Sequence, residues 1–213
     1  MEKALTGKRI AIAGSRKTEE MSVLIEKQGG TALVRPLQGT VFLAEEQVKP
    51  ELQKYMNEGA DWSIFTTGIG IESLIKLSED MSARDSFLQR IQNSQVGSRG
   101  YKTFAALKKM GIAPVAVDED GTTNSLIKAL SNFDLSNKRV MVQLHGEKAP
   151  SLMAFLQEQG ASVQTILPYQ HIPPEEAVVE QLCTELINGE VNAVCFTTAI
   201  QVRSLFNFAK ERH

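Results

Sequence analysis

The sequence has few of the residues from which metal centres and disulfide frameworks are built. Its 213 residues include two cysteines and three histidines. Cys183 and Cys195 lie in apolar surroundings, without the CxxC spacing of redox or zinc sites. Isolated cysteines of this kind are typical of buried thiols in a reducing compartment. We therefore expect no metal ion and no other cofactor.

Long apolar runs and a surplus of one charge are also missing. No run approaches the roughly 18 apolar residues that a membrane-spanning helix needs, and Met1–Gly7 lacks the pattern of a signal peptide. A cytoplasmic protein without a membrane partner is expected. Lys and Arg total 23 against 25 Asp and Glu, so the net charge is −2. This balance argues against a nucleic-acid partner, although it is compatible with a local basic patch for an acidic ligand.

What the sequence does contain is an internal repeat. FTTGIGIESL at Phe65–Leu74 returns as FTTAIQVRSL at Phe196–Leu205, 131 residues later, with six of ten positions identical. Two further blocks return in the same order at an offset of 130 or 131, namely KRIAIA (8–13) as KRVMVQ (138–143) and LIEKQGGTA (24–32) as FLQEQGASV (155–163). Three ordered blocks indicate two copies of one structural unit.

The opening of the first copy predicts a β-α-β unit. Lys8–Ala13 is expected to be a buried strand, and Thr18 is expected to cap a helix with an apolar stripe at Met21, Leu24 and Ile25. A second strand is expected at Thr31–Val34. The order of such units predicts an α/β fold of two flavodoxin-like domains, each a doubly wound, mainly parallel sheet.

Two proline-rich segments predict how the domains are connected. Residues 35–43 and 168–174 lie at equivalent points of the repeat and are expected to form a two-stranded linker. One domain is then split into 1–36 and 173–213, and the other is the contiguous segment 42–167. The repeat also predicts counterparts of residues 76–130 at about 207–261, so about 50 further residues are expected for the split domain.

The ordered motifs resemble those of uroporphyrinogen-III synthases. The resemblance covers nearly the whole chain and rests on GKRIAIAGSR (7–16), DWSIFTTGIGIESL (61–74), RGYKTFAALKKMG (99–111), GASVQTILPYQHIPP (160–174) and the second FTT block. It implies a hydro-lyase of tetrapyrrole (haem) biosynthesis that cyclises hydroxymethylbilane, inverting the last pyrrole ring and losing water. It further implies a cytoplasmic monomer that works without a cofactor.

Two other classes of protein remain to be distinguished from this enzyme. FTT stands where the family has FTS, and LHGEKAP at Leu144–Pro150 lacks an arginine that is common in the family. These departures leave open a two-lobed ligand-binding or regulatory protein without turnover. A receiver-like phosphotransfer module would need an acidic cluster after the first strand, where Gly14, Ser15 and Arg16 stand instead.

The candidate substrate-binding residues follow predicted strands. The implied substrate carries eight carboxylates, which helix N-termini and backbone N–H groups can bind. The first group is the two FTT turns (Phe65–Thr67 and Phe196–Thr198) with the following glycine, giving Thr66, Thr67, Gly68, Thr197 and Thr198. The second is a basic turn before a predicted helix at Phe104–Met110, with Arg99, Gly100, Lys102 and Thr103. Arg16, His145 and Gly146 follow two further strands. Helix capping and solvated surface turns are the alternative explanations.

Tyr169 is the candidate catalytic residue. It follows Pro168 at the second proline-rich segment, where the family motif also has a tyrosine. A phenol could donate a proton to the departing hydroxyl group of the substrate. The alternative is a tyrosine that packs on the linker with its hydroxyl in water. Since the substrate is intrinsically reactive, the enzyme would act mainly by restraining its conformation.

Overall fold

The computed structural model describes residues 3–43, 45–144, 146 and 149–212. The strands in these ranges are β1 Arg9–Ile12, β2 Thr31–Val34, β3 Gly39–Phe42, β4 Trp62–Phe65, β5 Gln95–Ser98, β6 Ala116–Val117, β7 Arg139–Gln143, β8 Ser162–Ile166, β9 Tyr169–Ile172 and β10 Ala193–Cys195. The helices are α1 Thr18–Lys27, α2 Glu45–Glu58, α3 Gly68–Asp80, α4 Arg84–Gln92, α5 Tyr101–Lys109, α6 Thr123–Leu130, α7 Pro150–Glu158, α8 Glu176–Ile187 and α9 Ala199–Arg212.

The chain divides into two compact units. Unit 1 consists of Met1–Val41 and His171–His213, and unit 2 is Phe42–Gln170. Strands β3 and β9 pair in a two-stranded sheet where the chain passes from one unit to the other. The unit boundaries lie inside the segments 35–43 and 168–174. That the two units behave as independent domains stays a prediction.

Unit 2 contains a five-stranded sheet in the order β6-β5-β4-β7-β8, and all of its pairings are parallel. The repeat aligns β7 with β1 and β8 with β2, so β7 and β8 count as the first and second strands of the repeated unit. Strands β4, β5 and β6 are then its third, fourth and fifth. The sheet then has the order 2-1-3-4-5 of a flavodoxin-like fold, entered by the chain at its third strand. The predicted α/β class with parallel sheets is confirmed.

Unit 1 contains a sheet in the order β10-β1-β2, again with parallel pairings. These strands correspond to the third, first and second strands of unit 2. The registers agree as well, because Ile12 pairs with Cys195 where Val142 pairs with Ile64. The repeat in the sequence is therefore a repeat of the three-dimensional structure.

Alternating residues of β4 and β7 face two hydrophobic clusters in unit 2. On one face, helices α2 to α5 cover buried side chains such as Leu52, Phe87 and Leu107. On the other face, α6 and α7 contribute Leu126 and Leu152. The core of unit 1 is smaller and combines sheet residues with α8 and α9, through Ala11, Ala13, Leu37, Val179, Leu182, Val191 and Leu205.

Two helix starts differ from the sequence prediction. Thr18 is the first residue of α1, not its cap, since the preceding Lys17 has a left-handed backbone (φ 55°) and no side-chain capping bond is formed. Helix α5 begins at Tyr101 rather than Phe104. The predicted stripe of α1 is also partly wrong, because Leu24 is 63% exposed. Helix α1 packs on β1 and β2 but buries no residue fully, and Leu24 lies on its solvent-facing side.

No helix in the described ranges is both long and apolar enough to cross a membrane. Those ranges also contain no group of three or more His, Cys, Asp or Glu residues placed to hold a metal ion. Cys183 and Cys195 are unpaired thiols of intermediate burial. Burial raises the pKa of the Cys183 thiol.

Candidate active site at the carboxyl ends of the unit 2 strands

The carboxyl ends of the unit 2 strands bring several predicted site residues to one edge of the sheet. The first FTT turn follows β4, and the basic turn at Arg99 and Gly100 follows β5. Strand β7 ends at Gln143, and β8 ends shortly before Tyr169. This edge is where open α/β sheets bind their ligands.

The first FTT turn is held by hydrogen bonds to its neighbours. Thr67 caps helix α3, and its Oγ1 accepts a hydrogen bond from the N–H of Gly70 at 3.2 Å. Thr66 is buried, and its Oγ1 donates to the main-chain oxygen of Gln143 at 2.7 Å. Helix capping, the alternative raised by the sequence, is thus realised at Thr67, while Thr66 supports the turn.

Gln143 is a residue that the sequence did not single out. Its fully buried side-chain Oε1 accepts from the main-chain N–H groups of Thr66 and Thr67, both at 3.2 Å. Its Nε2 donates to the oxygen of Leu144 and, at 3.4 Å, to Thr67 Oγ1. These partners fix the orientation of the amide, because an NH₂ group could not face two N–H donors. The turn amides are therefore satisfied within the protein.

Tyr169 places its hydroxyl on the same turn. Its side chain is 2% exposed, and its hydroxyl oxygen lies 3.0 Å from Thr67 Oγ1. Thr67 Oγ1 already accepts hydrogen bonds from Gly70 and Gln143. A hydroxyl has two acceptor positions and one proton, so Thr67 donates that proton to Tyr169. The phenolic proton of Tyr169 is then not donated to Thr67.

The basic turn has one capping residue and one buried hydroxyl. Gly100 caps α5 with a positive φ of 83°, and its N–H donates to the carboxylate of Asp118. Arg99 donates from Nη1 to Thr123 Oγ1 at 2.9 Å. Thr103 is buried, and its hydroxyl makes no hydrogen bond within the described part of the chain. The hydroxyl of Ser98 at the end of β5 is in the same situation.

The remaining candidates of unit 2 have different surroundings. Lys102 is exposed in the first turn of α5, with its ammonium 5.7 Å from the centre of the Tyr101 ring. Gly68 lets α3 approach α5, since a Cβ atom there would lie 3.1 Å from the oxygen of Lys102. Gly146 forms a parallel bridge with Gln170. His145 lies outside the described residues.

Unit 1 repeats this arrangement with other side chains. The N–H of Thr197 donates to Gln201 Oε1 at 2.8 Å, and Thr198 Oγ1 donates to Gln38 Oε1 at 2.7 Å. The Nε2 atom of Gln38 also lies 2.6 Å from the Nδ1 atom of His171. With the offset of 131, Gln38 is the counterpart of Tyr169. Arg16 is exposed after β1 and lies in unit 1.

Comparisons with known proteins agree with this architecture. A model of the family described as uroporphyrinogen-III synthase HemD matches residues 19–213. An uncharacterized protein of Bacillus subtilis, YjjA, is 66% identical over 212 residues, which cover 100% of this chain and 78% of YjjA. A putative uroporphyrinogen-III synthase of Methanothermobacter thermautotrophicus is 28% identical, over 92% of this chain and 75% of that protein.

Solved structures of uroporphyrinogen III synthases are also similar to this chain. A crystal structure of a mutant uroporphyrinogen III synthase from Thermus thermophilus superposes with a TM-score of 0.79 and 32% identity. The similarity covers 95% of this chain and 77% of the Thermus chain. The family model spans most of the chain, and the fold and ordered motifs agree with it. The chain belongs to the uroporphyrinogen-III synthase family.

Proposed function

We propose that the chain is a uroporphyrinogen-III synthase, a lyase that cyclises hydroxymethylbilane with loss of water and inversion of the last pyrrole ring. The observation that supports this most directly is the hydroxyl pair of Tyr169 and Thr67, 3.0 Å apart at the carboxyl edge of the unit 2 sheet. In a chain of this family, that edge provides a proton donor whose position is held by a buried ring and a capped helix.

Tyr169 acts as the acid in the first step. The C–O bond of the hydroxymethyl group breaks as the phenolic proton moves to the leaving oxygen, which departs as water. The electron pair of the adjacent pyrrole nitrogen stabilises the resulting cationic azafulvene. The hydrogen bond donated by Thr67 stabilises the phenolate that Tyr169 becomes, because hydrogen bonds to charged groups are the stronger ones.

The later steps need shape more than acid or base strength. The substituted carbon of the last pyrrole attacks the azafulvene and forms a spiro intermediate, which fragments and recloses through the free carbon of that ring. This carbon loses a proton on closure, and that proton restores the phenol of Tyr169. The protein's contribution here is to hold the reacting carbons close together.

In this proposal, polar groups within each unit, taken separately, are the candidates for binding substrate carboxylates. In unit 2 these are Gly68, Arg99, Gly100, Lys102, Thr103 and Gly146, and in unit 1 they are Arg16, Thr197 and Thr198. Because Gln143 satisfies the amides of the first FTT turn, Thr66 and Thr67 support the site through their positions. Among the neutral groups, Thr103 is included because its buried hydroxyl makes no hydrogen bond within the described residues and adjoins the exposed Lys102.

The proposal includes the cellular setting. The chain acts in tetrapyrrole biosynthesis as a cytoplasmic monomer, without a cofactor and without nucleic acid as a partner. The balanced charge of −2 supports binding by backbone amides and hydroxyls, since a polyanion held by side-chain cations alone would demand a basic surface.

Freshly prepared hydroxymethylbilane tests the proposal. We expect the protein to yield uroporphyrinogen III above the rate of spontaneous closure, which gives isomer I. The products are oxidised and separated by chromatography, with a protein-free reaction as the control. An unchanged ratio of the two isomers would refute the proposal, and substrate binding without turnover would favour a ligand-binding protein instead.

A further inference from the structure

The two FTT turns are held by glutamines that come from different elements. In unit 2, Gln143 on β7 accepts hydrogen bonds from the N–H groups of Thr66 and Thr67. In unit 1, Gln201 on α9 accepts a hydrogen bond from the N–H of Thr197 at 2.8 Å. Both glutamines are buried. In each turn the main-chain N–H of the first threonine thus donates to the oxygen of a buried glutamine. That glutamine lies on a strand in unit 2 and on a helix in unit 1.

The repeat shows that the two positions compensate for each other. Gln201 corresponds to Gly70 by the offset of 131, and Gln143 corresponds to Ala13 by the register of the strands. In unit 2 the helix carries Gly70 and the strand carries Gln143. In unit 1 the helix carries Gln201 and the strand carries Ala13. A Cβ atom at Gly70 would collide with the side-chain amide of Gln143. Each turn therefore has room for a glutamine at the strand position or at the helix position, but not at both.

The two glutamines differ in what their NH₂ groups contact. Nε2 of Gln201 donates to Oγ1 of Thr197, the first threonine of its turn, at 3.1 Å. Nε2 of Gln143 donates to Oγ1 of Thr67, the second threonine of the other turn, at 3.4 Å. Thr67 is the residue that contacts the Tyr169 hydroxyl. The bond from Gln143 takes up an acceptor position on Thr67 that Tyr169 could otherwise use.

We propose that Gln143 is a positioning residue that makes two separable contributions. Its Oε1 atom holds the first FTT turn in place. Its NH₂ group directs the Thr67 proton toward Tyr169, so that Tyr169 does not donate its phenolic proton to Thr67. The second contribution rests on the proposed function, since the acid role of Tyr169 belongs to it.

The chain itself supplies the variants that separate these contributions. Gln143→Ala removes both. The double variant Gly70→Gln with Gln143→Ala gives unit 2 the arrangement of unit 1, with the glutamine on the helix. Gln164→Ala on β8 is the matched control, because its Nε2 donates to the oxygen of Glu51 at 2.7 Å in the same unit. The readouts are amide hydrogen exchange at Thr66 and Thr67, and kcat and KM with hydroxymethylbilane.

In Gln143→Ala we expect exchange at Thr66 and Thr67 to accelerate about 10-fold or more, because both amides lose their acceptor. We expect kcat to fall about 10-fold with KM near the parent value, because Tyr169 can now donate its proton to Thr67. In the double variant, slow exchange at Thr66 returns while kcat stays low. Gln164→Ala leaves exchange at both threonines and kcat as in the parent.

Three results would overturn the proposal. If kcat recovers together with the Thr66 amide in the double variant, Gln143 is a structural residue only. If exchange at Thr66 stays fast in the double variant, the two glutamine positions are not interchangeable. A parent protein that makes no uroporphyrinogen III removes the role assigned to Tyr169 and also refutes the proposed function. The exchange measurements alone then decide whether Gln143 holds the turn.

Discussion

At the scale of single residues, Tyr169 combines a buried ring with a hydroxyl on a capped helix. The ring is 2% exposed, so its packing leaves the phenol little freedom to move. The hydroxyl contacts Thr67, whose own position is tied to Gly70 and Gln143. A linker tyrosine with its hydroxyl in water, the alternative raised by the sequence, would not have this burial.

Replacing Tyr169 with phenylalanine separates the acid role from a role in substrate shape. General acid assistance is typically worth 10²- to 10⁴-fold in rate, but this substrate loses water readily by itself. We therefore expect Tyr169→Phe to lower turnover about 10-fold or somewhat more, with isomer III still the product. Turnover and isomer ratio are measured with fresh hydroxymethylbilane.

Tyr55→Phe is the matched control for this substitution. Tyr55 is also a buried tyrosine of unit 2, its hydroxyl lies 2.7 Å from Ser63 Oγ, and burial raises its pKa to about 12. Loss of that hydroxyl should lower stability by about 1 kcal/mol without changing turnover. A shift of Tyr169→Phe toward isomer I would assign Tyr169 to holding substrate shape. Parent-like rate and isomer ratio would remove it from the site.

At the scale of elements, an ion pair joins a strand to a helix in unit 1. Arg35, directly after β2, donates from Nε to Glu185 Oε2 on α8 at 2.9 Å, and its Nη2 lies 2.5 Å from Oε1. Both side chains are largely buried, with 17% and 10% exposed. The hydrogen bond and charge of Arg35 hold the pKa of Glu185 below its usual value. This two-point contact is stronger than an ordinary surface ion pair.

The lowered pKa gives the sign of a pH effect on stability. The folded state binds the proton less readily than the unfolded state. The contribution of Glu185 to stability is therefore complete above the ordinary glutamate pKa of 4.5 and is lost as pH falls through the lowered pKa of the folded state. We expect Glu185→Gln to lower the free energy of unfolding by about 2 kcal/mol at pH 7, the usual size of a hydrogen bond to a charged group. Urea unfolding followed by circular dichroism measures this difference.

The difference between parent and Glu185→Gln should shrink as the pH is lowered below about 4.5. Glu45→Gln serves as the control, since Glu45 forms an exposed pair with Lys49 at 2.6 Å on one helix. That variant should unfold like the parent. A Glu185→Gln difference that is the same at pH 7 and in acid would show that the ion pair is not its source.

The order of the elements could be predicted from the sequence because the repeat carries it. Similar blocks at an offset of 130 or 131 predicted two copies of one unit, the β-α-β order predicted parallel sheets, and the registers of β1 and β7 follow the same alignment. The start of α1 could not be predicted in this way. Thr18 is a good capping residue in general. Here the left-handed Lys17 takes the cap position, and Thr18 is already the first residue of the helix.

The candidate site was less predictable, because its key contact joins residues that are distant in sequence. Thr67 and Tyr169 were both candidates, but Gln143 and Gly70 were not. Their relation becomes visible only when the strand register is known, since Gln143 replaces an alanine of the other copy and Gly70 replaces a glutamine. Burial of Thr66 and Thr103 likewise depends on how α3 and α5 cover the sheet.

At the scale of the whole molecule, the two units share one plan but differ in how much of it is covered. Strand β7 lies between β4 and β8 in a five-stranded sheet with buried clusters on both faces. Strand β1, its counterpart, lies between β10 and β2 in a three-stranded sheet with a smaller cluster. Helix α1 buries no residue fully, and its Leu24 is exposed. Fewer buried apolar contacts lower the free energy of local opening.

We therefore expect unit 1 to open more readily than unit 2 and to do so independently of it, as separate domains would. The amides of Lys8–Val34 should exchange about 10-fold faster, or more, than those of Val140–Val163 under native conditions. Strands β1 and β7 make the comparison a matched one, because each has a parallel neighbour on both sides. Hydrogen exchange followed by mass spectrometry measures both segments in one sample. Equal or slower exchange in Lys8–Val34 would mean that the smaller core is not the weaker one. A single common rate of opening for both segments would mean that the two units unfold together as one domain.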